Sequence, residues 1–245
     1  YNYRIFPGMS IMIDTDSKNK KTLPFDILFE DDHIIVVNKP SGLLTIATAK
    51  EKEKTLYHIV REYLVSKDKN ARVFIVHRLD KDTSGLIIVA KNDKAHINLS
   101  EQIKNREINK KYVALVRGVI KENHATIDMP IGRSSKDRKK MAVTKTGKNA
   151  VTHIKVLKRY DGYTLLDIKI DTGRTHQIRV HLAEIGYPVV GDEVYSNGKN
   201  PFGVKGQMLH AKSLEFKHPI TGNIMKLEAP IPEYFEEVLK KLDNE

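Results

Sequence analysis

The stretch Val73–Asn92, VFIVHRLDKDTSGLIIVAKN, decides the fold, because two apolar, β-branched runs flank a short charged segment. Val73–Val76 and Leu86–Ala90 have the length and composition of buried strands. The nine residues between them carry five charged or titratable side chains: His77, Arg78, Asp80, Lys81 and Asp82. A tight turn at the rim of a core needs one or two polar residues, so this segment carries more charge than a turn requires.

Two interpretations of this segment remain open on the residues alone. Asp, Ser and Gly are turn residues, so Asp80 to Gly85 fit an ordinary turn between two strands. A turn, however, does not need His77 and Arg78. A cation close to Asp80 favours the ionised carboxylate, which a nucleophile or a base requires.

The rest of the chain predicts more strands than helices, and short turns join several of the strands. Apolar spacing predicts helices at Thr55–Val65, from an Asp93 cap to about Lys104, from a Thr175 cap over His176–Ile185, and from Pro232 onward with Phe235, Val238, Leu239 and Leu242 facing inward. Strands are predicted at residues 34–37, 110–118, 150–160, 163–170, 208–216 and 224–230, with a hairpin turn at Asp161-Gly162. We therefore expect an α+β fold around a mixed, mostly antiparallel sheet.

Composition bounds the chemistry. Lys and Arg outnumber Asp and Glu by 42 to 31, a net charge of +11, which favours a polyanionic partner. The absence of cysteine excludes disulfides and thiolate nucleophiles. No G-x-G or P-loop pattern indicates a nucleotide cofactor, and no apolar run of about 20 residues indicates a membrane span, so we expect a cytoplasmic protein.

Three further segments combine charge with apolar sequence. In Asp171–Leu182, Arg174, His176, Arg179 and His181 surround a helix start, which fits either an anion site or a solvated basic helix end. His176 and His181 lie about 140° apart on that helix, so we expect no metal site there. Ser134–Ala150 is a basic, solvated loop that could clamp an RNA backbone, and Tyr112 is either a packed core tyrosine or a binding residue.

Taken together, these segments resemble the RluA-type RNA pseudouridine synthases from about Phe25 to Pro230. The similar motifs occur in the family's order: DDHIIVVNKPSGLL, HRLDKDTSGLIIVAKN, INKKYVALVRG and TGRTHQIRVHLAEIGYPVVGDEVY. Residues 1–22 are similar to the end of an appended RNA-binding domain plus a linker, which leaves residues 23–245 as the catalytic domain. The resemblance implies a pseudouridine synthase catalytic fold, acting on RNA and without a cofactor.

The resemblance also implies roles for individual residues. Asp80 matches the aspartate that attacks the target uridine, at either its ribose or its base. Arg179 matches the arginine that pairs with this aspartate. Tyr112 matches the tyrosine that stacks on the uracil and is a proposed base for its C5 proton, and Arg78 matches the arginine that keeps the target nucleotide out of the helical stack. Ribosomal RNA is then a more probable substrate than transfer RNA, and a monomer is the default.

Two rival functions remain at this point. A non-catalytic RNA-binding or ribosome-assembly factor explains the charge equally well but does not require Arg78, Asp80, Tyr112 and Arg179 together. A nuclease could use Asp80 and Asp82 with Mg²⁺. Metal-dependent cleavage of RNA would favour the nuclease, whereas isomerisation in the presence of a chelator would exclude it.

Overall fold

The structure is a computed structural model that describes residues 23–48, 55–137, 140–197 and 200–244. Residues 1–22, assigned from the resemblance to the end of an RNA-binding domain and a linker, lie outside the described residues. The helices are α1 (Leu56–Lys67), α2 (Asp93–Lys104), α3 (Gln177–Glu184) and α4 (Glu233–Asp243). The strands are β1 (Asp26–Glu30), β2 (Ile34–Lys39), β3 (Phe74–Ile75), β4 (Ser84–Ala90), β5 (Asn109–Arg117), β6 (His124–Asp128), β7 (Ile131–Arg133), β8 (Met141–Val143), β9 (Val151–Tyr160), β10 (Tyr163–Ile170), β11 (Leu209–Lys217) and β12 (Ile224–Glu228).

One mixed sheet organises the described residues, as the sequence predicted. Its strands run in the order β1-β2-β4-β11-β5-β10-β9-β6, with β3 beside β4 and β12 beside β11. The pairing of β4 with β11 is parallel, and the other pairs described are antiparallel. The expected α+β class with a mostly antiparallel sheet is confirmed.

Gly85 allows β4 and β11 to lie side by side. Its φ is +112°, and a Cβ atom at this position would lie 2.3 Å from the carbonyl oxygen of Ala211 on β11. Only glycine fits such a conformation and such a close approach. Gly85, the last residue of HRLDKDTSG, therefore lets β4 from the first half of the chain pair with β11 from the second half.

β2 and β4 are buried on both faces, which explains why their sequences are continuous apolar runs. On one face Ile35 and Val37 pack in a cluster with Leu56 and Val60 of α1. On the other face Ile34, Val36, Leu86 and Ile88 pack with Ala95 and Leu99 of α2. Burying one aliphatic side chain of this size stabilises the fold by about 1.5–3 kcal/mol. Packing in both clusters therefore holds β4 in place, and β4 in turn fixes the end of the loop that precedes it.

The C-terminal helix covers another part of the sheet. Phe235, Val238 and Leu242 of α4 pack in a cluster with Val113 and Leu115 of β5, and Leu239 is partly buried beside them. The inward face predicted for this helix is confirmed, and the helix begins one residue after Pro232. The hairpin of β9 and β10 also turns at Asp161 and Gly162, as predicted.

The structure corrects several local predictions. The cap of α2 is Asn92, whose side chain accepts the Ala95 N–H, and Asp93 is the first helical residue. The cap of α3 is His176 rather than Thr175, and it has a left-handed backbone. β4 already begins at Ser84, so the predicted turn is shorter than expected. In the basic segment, Met141–Val143 is a strand that pairs with Ile131–Arg133, because its alternate apolar side chains pack near Val180.

Candidate active site

All four predicted site residues line one cavity of about 560 Å³. The cavity lies where the loop before β4, the start of β5, the end of β10 and the start of α3 meet. Two aspartates, Asp80 and Asp171, line it. Seven basic residues line it as well: Arg78, Lys104, Arg106, Lys110, Lys169, Arg174 and Arg179. Such an excess of cations in a concave site favours a polyanionic ligand.

Side chains from a distant segment hold the loop that carries Asp80. Thr45 Oγ1 donates to the Leu79 carbonyl (2.8 Å) and accepts the Leu79 N–H (3.2 Å), so both backbone groups next to Asp80 are bonded. Ser41 Oγ donates to the Asp82 carbonyl at 2.9 Å. The segment KPSGLLT after β2 therefore fixes the loop on both sides of the carboxylate.

Lys39 completes this support from inside the protein. It is fully buried, and its Nζ donates to the carbonyls of Pro40, Leu43 and Lys81 at 2.8–2.9 Å. Burial lowers the pKa of Lys39 to about 7, although the nearby Asp82 and Asp80 oppose the shift. The three N–H groups of the Lys39 ammonium thus bond three carbonyls. One of these carbonyls belongs to Lys81, the residue that follows Asp80.

Arg179 bridges two carboxylates. Its Nη1 lies 3.0 Å from Asp80 Oδ2, while Nε and Nη2 lie 2.7 Å and 2.9 Å from Oδ2 and Oδ1 of Asp192. Asp192 is fully buried, and its Oδ1 also accepts the N–H groups of Val194 and Tyr195. Although burial opposes it, hydrogen bonding to Asp192 and the charge of both carboxylates raise the pKa of Arg179, so the guanidinium is a permanent cation beside Asp80.

Tyr112 is both a core residue and a wall of the cavity. It is 7% exposed, packs in the central cluster and pairs with Ile168 and Ala211 on the neighbouring strands. Burial, with the charge of Asp80, raises the pKa of Tyr112 above its usual value. The phenol is therefore protonated at neutral pH, which suits a ring that stacks on a base, whereas acting as a base would require the phenolate.

His77 and Arg78 have different surroundings. Nε2 of His77 accepts the Ile88 N–H at 3.1 Å, so the imidazole ties the start of the loop to β4. Arg78 is exposed at the rim of the cavity. The structure thus gives His77 a structural contact and places Arg78 where an approaching ligand would meet it.

Comparison with known proteins identifies the family. The model of a family described as RNA pseudouridylate synthase matches residues 33–184, which is more than half of the chain. The chain belongs to the RluA-type RNA pseudouridine synthases. It is 43% identical to an uncharacterized RNA pseudouridine synthase of Bacillus subtilis, over 98% of this chain and 82% of that protein.

Further relatives and solved structures agree with this assignment. Ribosomal large subunit pseudouridine synthase D of Pseudomonas aeruginosa is 44% identical over 87% of this chain and 70% of its own length. The structure of human RNA pseudouridylate synthase domain containing 4 superposes with a TM-score of 0.72 at 26% identity, and covers 89% of this chain and 92% of that one. As a pseudouridine synthase the protein is an isomerase that acts on RNA, and the matches support neither the non-catalytic factor nor the nuclease.

In this synthase, the basic residues expected around the start of α3 do not form one cluster. Arg179 and His176 face Asp80, whereas Arg174 donates to the Asn149 carbonyl at 2.9 Å. His181 is buried, with its nitrogens 2.9 Å from Thr152 Oγ1 and the Met129 carbonyl. Within the described ranges no three His, Asp or Glu side chains are grouped as a metal ion requires. No helix of the described residues is long and apolar enough to cross a membrane.

Sequence reasoning missed the supporting residues of the site, among them Thr45, Ser41 and three that hold buried polar contacts. Asp192 lies in GDEVY within the last motif, and Lys39 lies in NKPSG within the first, but neither motif shows which partner its residue contacts. Gln177 is the third. Its Oε1 accepts from Thr172 Oγ1 and the Arg174 N–H, while Nε2 donates to Val151 O and Thr152 Oγ1. The signal was available only as buried polar residues inside apolar sequence, and such residues require partners.

Proposed function

We propose that this synthase converts uridine to pseudouridine in large-subunit ribosomal RNA, with Asp80 as the nucleophile. The ribosomal substrate is supported by the names of relatives such as the Pseudomonas aeruginosa enzyme, which is 44% identical. The net charge of +11 and the basic cavity fit a large, structured RNA.

The surroundings of the Asp80 carboxylate are the observation that supports the proposal most directly. The carboxylate lies in the cavity with Oδ2 bound to Arg179 at 3.0 Å, while its side chain retains 18% exposure. The adjacent Leu79 and Lys81 are anchored through Thr45 and Lys39. A carboxylate that is paired with a guanidinium, held rigidly and open on one side has the properties of an enzymatic nucleophile.

The reaction needs such a group. The bond between N1 and C1′ breaks, the uracil turns, and a bond between C5 and C1′ forms while the hydrogen at C5 is lost and N1 gains one. The isomer has the same composition and oxidation state, so we propose that no cofactor takes part. With no cysteine in the chain, a thiolate cannot be the nucleophile, and Asp80 is a carboxylate that the cavity offers in its place.

The other predicted residues would handle the extruded nucleotide. A uridine leaves its helix at a cost of a few kcal/mol, which stacking and charge contacts in the pocket must offset. The Tyr112 ring supplies an aromatic surface, and Arg78 at the rim can occupy the position that the base leaves or hold its phosphate. Arg179 stays on Asp80 throughout, because Asp192 fixes its other side.

The organisation around the catalytic domain is also a proposal. Residues 1–22 form the end of an RNA-binding domain and a linker, residues 23–245 form the catalytic domain, and the protein acts as a cytoplasmic monomer. These assignments rest on the resemblance of the motifs. An RNA-binding titration of the chain that starts at Leu23, compared with the full chain, tests the first of them.

The central experiment replaces Asp80. Asp80→Asn removes the charge in a nearly isosteric way and should leave RNA affinity within about twofold while no pseudouridine forms. Tritium release from RNA labelled at uracil C5 measures the reaction under single turnover. The matched control is Asp82→Asn, which removes the same charge two residues away and should keep activity. Product from a clean Asp80→Asn preparation would contradict the mechanism.

A second measurement tests the RNA substrate. Pseudouridine mapping of total RNA from cells that lack the gene should show a missing modification in large-subunit ribosomal RNA. The parental gene should restore it and the Asp80→Asn gene should not. A modification missing only from transfer RNA would overturn the ribosomal substrate and leave the chemistry intact.

A further inference from the structure

The second oxygen of Asp80 faces an imidazole. Arg179 bonds Oδ2, whereas Oδ1 lies 4.0 Å from Nε2 of His176, which also lines the cavity. This separation exceeds a normal N–H···O hydrogen bond by about 1 Å. Oδ1 is the oxygen that remains available to a substrate, so His176 stands at the point where the carboxylate and the uridine would meet.

Tyr195 determines which nitrogen of His176 carries the proton. Its hydroxyl oxygen lies 2.9 Å from His176 Nδ1 and accepts the Met141 N–H at 3.0 Å. In the arrangement proposed below, the Tyr195 hydroxyl donates its proton to Nδ1, and the imidazole proton is on Nε2, the nitrogen that faces Asp80.

The backbone conformation of His176 also indicates that the surrounding structure fixes the position of its side chain. His176 has φ +57° and ψ +19°, a left-handed conformation that costs a residue other than glycine about 1–3 kcal/mol. It occupies the cap position of α3 but makes no capping hydrogen bond. Strain of this kind persists only where the surroundings enforce it. Here Tyr195 contacts the His176 side chain, and the His176 carbonyl accepts the Val180 N–H at 2.8 Å.

We propose that His176 is a further catalytic residue of the reaction, which presents an N–H group to the open oxygen of Asp80 and to the substrate atom that this oxygen engages. Tyr195 is the positioning residue that keeps this proton on Nε2. A donor for each carboxylate oxygen fixes the plane of the carboxylate and stabilises its charge when it separates from the substrate. The inference rests on the proposed role of Asp80.

Burial, together with the charges around His176, favours a neutral imidazole. Burial lowers its pKa, Asp80 from the loop before β4 raises it, Arg179 of α3 lowers it, Asp192 raises it and Arg78 lowers it. The net effect is a pKa below the usual value. The ring is therefore neutral at neutral pH, where its single proton has to be on the correct nitrogen.

The first test removes the imidazole. Asparagine tolerates a left-handed backbone and is too short to reach Asp80, so His176→Asn isolates the side chain. We expect its single-turnover rate near pH 7.5 to fall about 10- to 100-fold, the size of one hydrogen bond to a charged group, with RNA affinity within about twofold. His176→Gln, which keeps an N–H donor, should retain more activity than His176→Asn. The control is His124→Asn on β6, an exposed histidine outside the cavity.

The second test uses Tyr195→Phe, which keeps the ring over Arg179 and removes the hydroxyl. A neutral imidazole can then carry its proton on Nδ1, so near pH 8 the rate should fall about 2- to 10-fold below the parental rate. As the pH falls through the lowered pKa of His176 the imidazolium carries protons on both nitrogens, and the deficit should shrink. A purely structural role of Tyr195 predicts the same deficit at every pH.

The outcomes separate this inference from the proposed function. An inactive Asp80→Asn enzyme together with a parental rate for His176→Asn, or a Tyr195→Phe deficit that does not change with pH, would overturn the role of His176 alone. An active Asp80→Asn enzyme would overturn the proposed function itself. Urea denaturation of each variant shows whether it is folded, and if His176→Asn does not fold, the Tyr195→Phe pH profile decides.

Discussion

The two carboxylates that Arg179 contacts have opposite surroundings. Asp192 is fully buried and accepts two bonds from Arg179 and two from the N–H groups of Val194 and Tyr195. Asp80 accepts one bond from Arg179, and its other oxygen faces the cavity and His176. One carboxylate has its hydrogen-bonding capacity filled by protein, and the other retains capacity for a substrate.

The two carboxylates also differ in how they are held. Asp192 lies in a turn, and the backbone N–H groups of Val194 and Tyr195 in that turn donate to its carboxylate. Its support is therefore local. Asp80 depends on Thr45 and Lys39, which come from another segment and bond the backbone on either side of it. His77, at the start of the same loop, ties that loop to β4. A structural ion pair can be built from neighbours in sequence, whereas a reactive group that must stay open is fixed through the backbone that carries it.

The largest expected effect comes from Asp192→Asn. This change leaves Arg179 buried with one anionic partner fewer, so the free energy of unfolding should fall by about 3–5 kcal/mol. Urea denaturation measures this value, and single-turnover kinetics should show a loss of activity in the folded enzyme. Asp80→Asn, on the same arginine, should cost much less stability because Asp80 is partly exposed.

The control for this experiment is Asp161→Asn in the turn between β9 and β10, where the carboxylate is exposed and asparagine fits a turn equally well. Its unfolding free energy should stay within about 0.5 kcal/mol of the parental value. If Asp192→Asn were as stable as this control, the contrast between the two carboxylates would be lost.

A smaller effect is expected where the Asp80 loop is supported. Lys39→Met keeps a long, unbranched side chain but leaves three partly buried carbonyls without their donor, so stability should fall by about 1–3 kcal/mol. Because the Lys81 carbonyl is released next to Asp80, the single-turnover rate should fall more than RNA affinity does. Lys226→Met, at an exposed pair with Glu215, is the control. Parental stability and rate for Lys39→Met would show that Thr45 and Ser41 suffice to hold the loop.

The sequence predicted the fold well where the signal was local. The apolar runs of β2 and β4, the hairpin turn at Gly162 and the inward face of α4 follow from residue spacing and turn chemistry. The cap of α3 was missed, because His176 takes a left-handed backbone that tertiary contacts impose and that no residue preference encodes. The strand Met141–Val143 was missed because its few apolar residues lie among lysines.

The candidate site was predicted only in part, for a related reason. Motif resemblance indicated Arg78, Asp80, Tyr112 and Arg179, and the structure brings all four to one cavity, while their catalytic roles stay predictions. The contacts that support them join residues far apart in the chain, such as Lys39 with Lys81 and His176 with Tyr195. Spacing along a sequence carries little information on such pairs, so only the three-dimensional structure could show Asp192, Lys39 and Gln177 as supports.

The smallest expected effect concerns His77, which anchors the start of the Asp80 loop. Burial, together with Lys110, lowers the pKa of His77 to about 3 from the usual 6.5. Between these values the unfolded chain binds a proton that the folded protein does not, so stability falls as the pH drops below about 6.5, by up to about 1.4 kcal/mol per pH unit. His77→Gln can still accept the Ile88 N–H but does not titrate.

Urea denaturation at a series of pH values tests this, because the stability of parental protein should decline more steeply than that of His77→Gln as pH falls from about 7 to about 5. The exposed His124→Gln, which lacks this burial, should follow the parental curve. Parallel curves for the parental protein and His77→Gln would show that the imidazole can be protonated without leaving its place. The Asp80 loop would then depend for its position on Thr45, Ser41 and Lys39.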